Sequence, residues 1–361
     1  MSEPARSAVP DIAAAGASLK TADCADASPS GERNLNLPRS YVLTPDGKFQ
    51  RDLLPKQIAE RLVSGSGMMW IDIDSCNRHQ VALLEKVFQF HPLTIEDVLN
   101  PNSRVKFEEY DGYIFCIIRG IQFHEATEDP YDLETYNLCF YLGKNFVVTT
   151  HAVQSPSVGA IGDLVDRSPD LLTRAPARLM HAIMDSAVDA YFPILDQVDD
   201  FVDGLEERVF GDFDSEVLRD IFSVKRLVLS LRRHLMPQRE VFNILTHRPN
   251  ALLPPEIQVY YRDIYDHVLR INDSIETYRD LLSSTMDSYL TQVSNRLSSV
   301  TKALSIFATV SLPFVVVSGM WGMNFVKVPL AANPYGFEIM VLVQIGIALG
   351  LFAFLKRRGF L

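Results

Sequence analysis

Acidic and hydroxyl side chains recur every three or four residues between positions 273 and 305. This spacing places them on one face of an α-helix. Their oxygens can ligate a divalent cation or accept hydrogen bonds from its water shell. A solvated helix face is the better explanation for most of this polar stripe, but its last part enters an uncharged segment, where it could line a water-filled path. The stripe and its continuation comprise Asp273, Thr277, Asp280, Ser284, Asp287, Thr291, Ser294, Ser298, Thr301, Ser305, Ala308, Leu312 and Val315.

The stripe leads towards the triplet Gly322, Met323 and Asn324. Mg²⁺ holds its water tightly and demands octahedral geometry, so a cage built only from protein ligands is a poor way to bind it. A ring of Asn side-chain oxygens could instead accept hydrogen bonds from the hydrated ion, while glycine permits close backbone approach or a positive φ. Two apolar segments per chain cannot enclose a path, so this interpretation requires several copies around an axis.

Two further groups offer metal-ligand chemistry. In "YRDIYDH", Asp263, Asp266 and His267 lie at i, i+3 and i+4 on one helical face, and Glu96 and Asp97 form an acidic pair in "HPLTIEDVLN". By spacing alone, both groups indicate solvated helix faces. The sequence has no P-loop, dinucleotide-binding, nucleophile-elbow or H-E-x-x-H motif, so we predict that it is not an enzyme and uses no organic cofactor.

Two apolar runs predict membrane spans. As helices, Ala303 to Met320 would cover about 27 Å and Ile339 to Leu355 about 25 Å. A buried helical hairpin of a soluble protein is the less favoured alternative, since two such runs this close together are rare in globular cores. Basic residues before the first span and after the second predict that both chain ends are cytoplasmic. The loop 324–337 then faces outside, with Lys327 as its one basic residue.

The residues before the first span predict one long helix. Between Glu256 and Leu312 there is neither Gly nor Pro, and Pro254 and Pro255 suit a helix start. This helix would be about 85 Å long. Its apolar residues alternate spacings of three and four, which predicts a coiled-coil-like seam. The seam comprises Ile257, Tyr261, Ile264, Val268, Ile271, Ile275, Tyr278, Leu282, Met286, Tyr289, Val293, Leu297, Val300 and Leu304.

The N-terminal part predicts an α/β domain. Met68–Asp74, Tyr113–Phe123 and Leu138–His151 are rich in β-branched and aromatic residues, and helices are expected at 79–88 and 92–99. Acidic helices follow, and residues 1–38 are expected to be a disordered tail. The net charge of −11 argues against a nucleic-acid partner. The four cysteines have no C-x-x-C or zinc-site spacing, so a disulfide framework is not expected.

"GMWGMNF" between two C-terminal spans, with the basic ending "KRRGFL", resembles the CorA family of divalent-cation channels. "HPLTIEDVLN", "YRDIYDH" and "DLLSSTMDSYLTQVSN" resemble family sequences in the same order. The resemblance implies an α+β membrane protein of the bacterial inner membrane. The resemblance further implies an N-terminal cytoplasmic α/β domain, a long stalk helix, two C-terminal transmembrane helices, and assembly as a funnel-shaped homopentamer. The expected limits are 1–38 (tail), 39–155 (α/β domain), 156–253 (helical region), 254–302 (stalk), 303–323 (first span), 324–337 (outer loop), 338–356 (second span) and 357–361 (basic tail).

The resemblance also implies roles for single residues. Gly322, Met323 and Asn324 match the selectivity motif, and Leu304 and Leu312 a hydrophobic constriction. The implied pore-lining set is Asp287, Ser294, Ser298, Thr301, Leu304, Ser305, Ala308, Leu312 and Val315. The chain departs from the family at Ser298, where members carry Asn, at Val315, where a hydroxyl is common, and in "VKVPLAANPYGF", where an acidic loop is usual.

A regulatory site is implied as well. The family binds Mg²⁺ between protomers with acidic residues at the positions of Asp97 and Asp263, and we extend this predicted site to Glu96 and His267. Mg²⁺ is then both the transported ion and a regulatory ligand. High cytoplasmic Mg²⁺ would bridge neighbouring chains and hold the pore shut.

Three functions compete on the sequence. The first is a Mg²⁺ channel that also passes Co²⁺ and Ni²⁺ and is gated by cytoplasmic Mg²⁺. The second is a proton-coupled Zn²⁺ transporter of the related ZntB type, with which the non-acidic loop containing Lys327 is compatible. The third is a non-transporting, membrane-anchored scaffold, against which the hydroxyl stripe argues because an anchor has no use for it.

Overall fold

The computed structural model describes residues 20–21, 37–123, 133–211, 216–323, 330 and 333–358. Asn324, Lys327 and most of the predicted tail lie outside the described residues. The chain divides into two compact units, Met1–Thr285 and Met286–Leu361.

The first unit contains a mixed eight-stranded sheet. Strands β1 to β8 are Lys20–Thr21, Arg39–Leu43, Phe49–Arg51, Met68–Asp74, Lys106–Tyr110, Tyr113–Phe123, Leu133–Gly143 and Phe146–His151. Their order is β3-β2-β4-β8-β7-β6-β5, with β1 added to β7. The β4–β8 pair is parallel, whereas β5 to β8 form an antiparallel meander.

Local sequence explains these strands. Met68–Asp74 and Tyr113–Phe123 have the predicted bounds, while the third predicted strand is the end of β7, a turn, and β8. All of β7 is buried, because helices or loops cover both faces of its β-branched and aromatic residues.

Lys20–Thr21 pair in parallel with β7, so the predicted disordered tail does not describe these two residues. Cys76 is disulfide-bonded, which the cysteine spacing did not predict.

Short helices flank the sheet. They are α1 (Pro55–Ser64), α2 (Arg78–Lys86), α3 (Pro92–Leu99), α4 (Pro156–Arg167) and α5 (Pro176–Asp189), with a 3₁₀ turn at Pro169–Thr173. Proline opens most of them, since its fixed φ suits the first helical position. The predicted helix at 92–99 is confirmed, and the one at 79–88 is α2, which ends two residues earlier. Just before α3, Phe90 stacks on Tyr141 of β7 with ring centroids 4.0 Å apart.

Three longer helices follow, α6 (Phe192–Phe210), α7 (Val217–His247) and α8 (Pro255–Trp321). In the first unit, α8 contacts the helices before it. The Tyr261 hydroxyl donates to the Ala177 carbonyl on α5 at 2.8 Å, and Arg232 on α7 pairs with Glu276 at 2.5 Å. Helix α8 is continuous over 67 residues and passes through Pro313. The predicted long helix is therefore confirmed.

The second unit consists of the rest of α8 and helix α9 (Gly336–Arg357). Both helices are long and apolar enough to cross a membrane, with mean hydropathies of 1.9 and 2.2 over their most apolar windows. Those windows are almost wholly exposed within the chain, 0% and 6% buried. A core helix of a soluble protein would be buried, so these apolar surfaces indicate contact with lipid or with other chains.

Candidate ion pathway and metal centre

The polar stripe of α8 is open along its whole length. Every residue from Asp273 to Ser305 in the stripe, and Ala308, Leu312 and Val315 after it, is exposed in the single chain. Two threonine hydroxyls donate to the carbonyl oxygen four residues earlier, Thr277 to Asp273 at 2.9 Å and Thr291 to Asp287 at 2.8 Å. Because the hydroxyl proton is used by the backbone, these oxygens present lone pairs outward. They suit a cation or the water around one.

The apolar seam of α8 changes its surroundings along the helix. In the first unit Ile264, Ile271 and Leu282 are fully buried. In the second unit Leu297, Val300 and Leu304 are 67%, 60% and 66% exposed. The sequence pattern is the same in both parts, so the seam from Leu297 onward is a surface that the chain itself leaves uncovered.

The predicted filter begins where α8 ends. The Gly322 amide donates to the Ser318 carbonyl at 3.0 Å, and the Met323 amide to the Met320 carbonyl at 3.4 Å. Gly322 is not among the residues with positive φ, so that predicted reason for glycine is wrong for this chain. A Cβ atom there would lie 3.4 Å from the Ser318 carbonyl oxygen. Asn324, the residue expected to supply the amide oxygen, is outside the described residues.

The acidic pair on α3 already has a cationic neighbour. Asp97 forms a salt bridge with Lys106 on β5 and accepts a hydrogen bond from the Ser103 hydroxyl at 3.1 Å. Burial would lower the pKa of Lys106, but its hydrogen bonds with Asp97 and Glu108 raise it, so the lysine stays charged. Glu96 is exposed beside this pair.

His267 lies in a different group. Its Nδ1 is 3.0 Å from Asp189 Oδ1 on α5, and one potential ligand atom each of Asp185, Asp189 and His267 lie within 4.8 Å of one another. Over the described ranges this is the one such group of three or more His, Cys, Asp or Glu ligands. Within one chain, the four predicted regulatory residues therefore do not form a single cluster.

The surroundings of Asp185 disfavour its charged form. Its Oδ1 is buried and has no hydrogen-bond partner within the described part of the chain. Partial burial and the nearby charges of Asp189 and Asp263 raise the pKa of Asp185, and the opposing effects of His267 and Arg178 do not cancel this. A bound cation would relieve both effects.

Sequence reasoning missed Asp185 and Asp189. A signal was present, because the two acids lie at i, i+4 in "MDSAVD" and so share a helix face. Their contact with His267 spans 78 residues of sequence, which spacing alone could not reveal.

Known proteins resemble this chain over most of its length. A family model described as "CorA-like Mg²⁺ transporter protein" matches residues 65–357. The cobalt/magnesium transport protein CorA of Thermotoga maritima is 30% identical over 294 residues, 81% of this chain and 83% of that protein. The protein of the same name from Methanocaldococcus jannaschii is 24% identical over 294 residues, 81% of this chain and 90% of that protein.

The fold has a solved counterpart. The complete structure of the CorA magnesium transporter from Methanocaldococcus jannaschii aligns with a TM-score of 0.76 at 20% identity, covering 90% of this chain and 99% of that chain. Such a likeness extends through the α/β domain, the long helix and the two apolar helices.

Proposed function

Because the chain belongs to the CorA-like Mg²⁺ transporter family, we propose that it forms a homopentameric channel that admits Mg²⁺ into the cytoplasm. Co²⁺ and Ni²⁺ are proposed as further permeant ions. The membrane is the inner membrane of a bacterium, with both chain ends on the cytoplasmic side. Entry needs no nucleotide, since two positive charges crossing 100 mV of membrane potential gain about 4.6 kcal/mol.

The surface of α8 is the observation that carries this proposal. One helix presents an exposed polar stripe beside an apolar seam that its own chain leaves uncovered from Leu297 onward. Copies of α8 around an axis would bury the seam against one another and turn the stripe towards the centre. A membrane-anchored scaffold would not account for the stripe.

In such a channel, residues 254–302 form the stalk, 303–323 the pore-lining span and 338–356 the outer span. The loop 324–337 faces outside, and 357–361 is a basic cytoplasmic tail. Asp287 gives an acidic ring at the inner mouth, while Leu304 and Leu312 form the apolar constriction where loss of water closes the path. Gly322, Met323 and Asn324 form the outer filter, which recognises the hydrated ion through amide oxygens. The remaining wall is formed by Ser294, Ser298, Thr301, Ser305, Ala308 and Val315.

Regulation is proposed at the acidic groups of the first unit. Asp185, Asp189 and His267 of one copy supply a half-built cation site, with Asp263 contributing negative charge to it. Glu96 and Asp97 of the neighbouring copy complete the bridge. Because Asp97 is paired with Lys106, the exposed Glu96 is the more available ligand. Mg²⁺ that binds here stabilises the closed assembly and so limits uptake when the cytoplasm is replete.

Ion uptake into proteoliposomes tests the proposal. Purified protein is reconstituted, a potential is imposed, and Mg²⁺ and Zn²⁺ entry are compared with and without a proton gradient. Asn324→Ala is expected to abolish Mg²⁺ entry, whereas Asn333→Ala, a matched change in the same loop, keeps it.

Two results would contradict the channel. Proton-stimulated Zn²⁺ entry with little Mg²⁺ flux would assign the chain to the zinc-transporting alternative. No flux of either ion from a correctly assembled protein would favour a scaffold.

A further inference from the structure

Gln344 is an unusual residue for its position. It is the one polar side chain between Ile339 and Leu355, in the most apolar helix of the chain. It is nevertheless 5% exposed, and with Gly336 it is one of the two buried residues of α9. An amide facing hydrocarbon without a partner is costly, so such a residue in a span has a structural or functional partner.

The partner is on the pore-lining helix. Gln344 Nε2 donates to the Ser318 hydroxyl oxygen at 3.3 Å. The carbonyl of the same Ser318 accepts the Gly322 amide at 3.0 Å, which is the hydrogen bond that closes the final turn of α8. Ser318 therefore contacts α9 through its side chain and the first residue of the triplet through its backbone.

A second contact holds the same end of α8. A Cβ atom added at Gly336 would lie 3.3 Å from the Trp321 ring and 2.2 Å from the Leu330 carbonyl oxygen. The first residue of α9 thus packs closely on the last residue of α8. Both contacts hold the last four residues of α8, directly before the triplet begins.

We propose that Gln344 is a positioning residue for ion selectivity, which acts by fixing the rotation of the last turn of α8 through Ser318. Successive residues of a helix differ by about 100° around its axis, so a small rotation of this turn changes the direction in which residues 322–324 leave the helix. In an assembly of identical copies, that direction sets the width of the ring. The inference rests on the proposed role of the triplet as the filter.

Selectivity measurements on single and double variants test it. Gln344→Leu removes the amide but suits a membrane span, and Ser318→Ala removes its acceptor. Mg²⁺ and Ca²⁺ uptake are compared in proteoliposomes. Each single change is expected to lower the Mg²⁺-to-Ca²⁺ uptake ratio by roughly 3- to 20-fold. This is the factor in an equilibrium constant that corresponds to the free energy of one interhelical hydrogen bond in a bilayer. The double variant should show no further loss, because both changes remove the same interaction.

Matched variants separate positioning from general damage. Ser318→Thr keeps the hydroxyl and is expected to keep the ratio. Ser311→Ala, seven residues earlier on α8, removes a serine hydroxyl without touching the contact and should also keep it. If Gln344→Leu does not assemble, Ser318→Ala, which removes a single oxygen atom, decides the question.

Specific results would overturn the proposal. One is an unchanged ratio in Ser318→Ala while Asn324→Ala destroys selectivity. Another is additive loss in the double variant. If Asn324→Ala itself keeps the parent ratio, the proposed filter fails first, and the role of Gln344 fails with it.

Discussion

Replacing Asp72 by Asn should destabilise the first unit by an amount that depends on pH. Asp72 on β4 and His151 on β8 are a buried pair, with side chains only 7% and 11% exposed. His151 Nε2 is 3.0 Å from Asp72 Oδ1, and its Nδ1 is 2.7 Å from the Val153 carbonyl oxygen. Both partners are acceptors, so the ring must be doubly protonated to donate to both.

The electrostatics support this assignment. Burial would raise the pKa of Asp72, but the charge of His151 and hydrogen bonds from His151 and Thr149 lower it. Burial would lower the pKa of His151, but Asp72 raises it. Removing one member of a buried ion pair leaves the other uncompensated, at a cost of about 3 to 5 kcal/mol. We therefore expect Asp72→Asn to lower the free energy of unfolding by that amount near pH 6, where His151 is protonated.

The pH dependence follows from the direction of each shift. The raised pKa of His151 contributes stability that is present below its unfolded value and is lost as pH rises through the folded value. The depressed pKa of Asp72 contributes stability that is present above its unfolded value and is lost as pH falls through the folded one. The difference between parent and Asp72→Asn should thus be largest around pH 6 and shrink at a second, alkaline pH, as the ring of His151 loses its proton.

Trp70 is a built-in reporter for this measurement. Its indole donates to the Thr149 hydroxyl at 3.1 Å, and that hydroxyl donates to Asp72 at 2.6 Å. Denaturant unfolding of the full chain in detergent is followed by Trp70 fluorescence in a Trp321→Phe background. Asp46→Asn, at an exposed turn, is the control. A loss below about 1 kcal/mol, or a loss that is equal at both pH values, would refute the buried ion pair.

Three further predictions concern other parts of the first unit. Asp189→Asn and His267→Ala should each weaken inhibition by internal Mg²⁺ by about tenfold or more, since each changes a ligand of the proposed cation site. Uptake measured against internal Mg²⁺ tests this, and unchanged inhibition would refute the cation site. Gly67→Ala should lower the free energy of unfolding by more than about 1 kcal/mol, because φ is +82° and the new Cβ would lie 2.3 Å from a β2 carbonyl oxygen. Gly112→Ala should lower the free energy of unfolding by less in the same denaturation assay, because φ is +85° but the new Cβ would meet no atom within 4 Å. Equal losses for the two variants would contradict the steric argument. Arg119→Met should lower the free energy of unfolding by about 2 to 3 kcal/mol, because the buried guanidinium donates at 3.1 Å to two carbonyl oxygens of the loop after α3. An unchanged free energy of unfolding would show that those carbonyls find other donors.

Much of the local structure could be predicted. The bounds of β4, β6 and α3 were predicted to the residue, because a run of β-branched and aromatic residues, or a proline-initiated helix, is visible in consecutive positions. The third predicted strand began five residues too late, since β7 starts at Leu133. Both faces of β7 are buried, so its limits depend on neighbouring strands and not on its own alternation.

The candidate sites could be predicted only in part. His267 was predicted as a metal ligand only by extending the site that the family resemblance implies, and the structure places it with Asp185 and Asp189, far away in sequence. The contact between Gln344 and Ser318 likewise joins residues 26 positions apart. Spacing reveals which residues share a face of one element. It does not reveal which residues of a distant element pack against that face.

By itself the sequence determined the long helix, its polar stripe and apolar seam, and the two helices that are apolar enough to cross a membrane, since a helical period depends only on neighbouring residues. Tertiary structure alone decided which part of the seam the chain covers, which acids meet His267, and that Asp72 and His151 form a buried pair. Those outcomes depend on how distant segments pack together, because burial and charge pairing are properties of the space between elements rather than of any one of them.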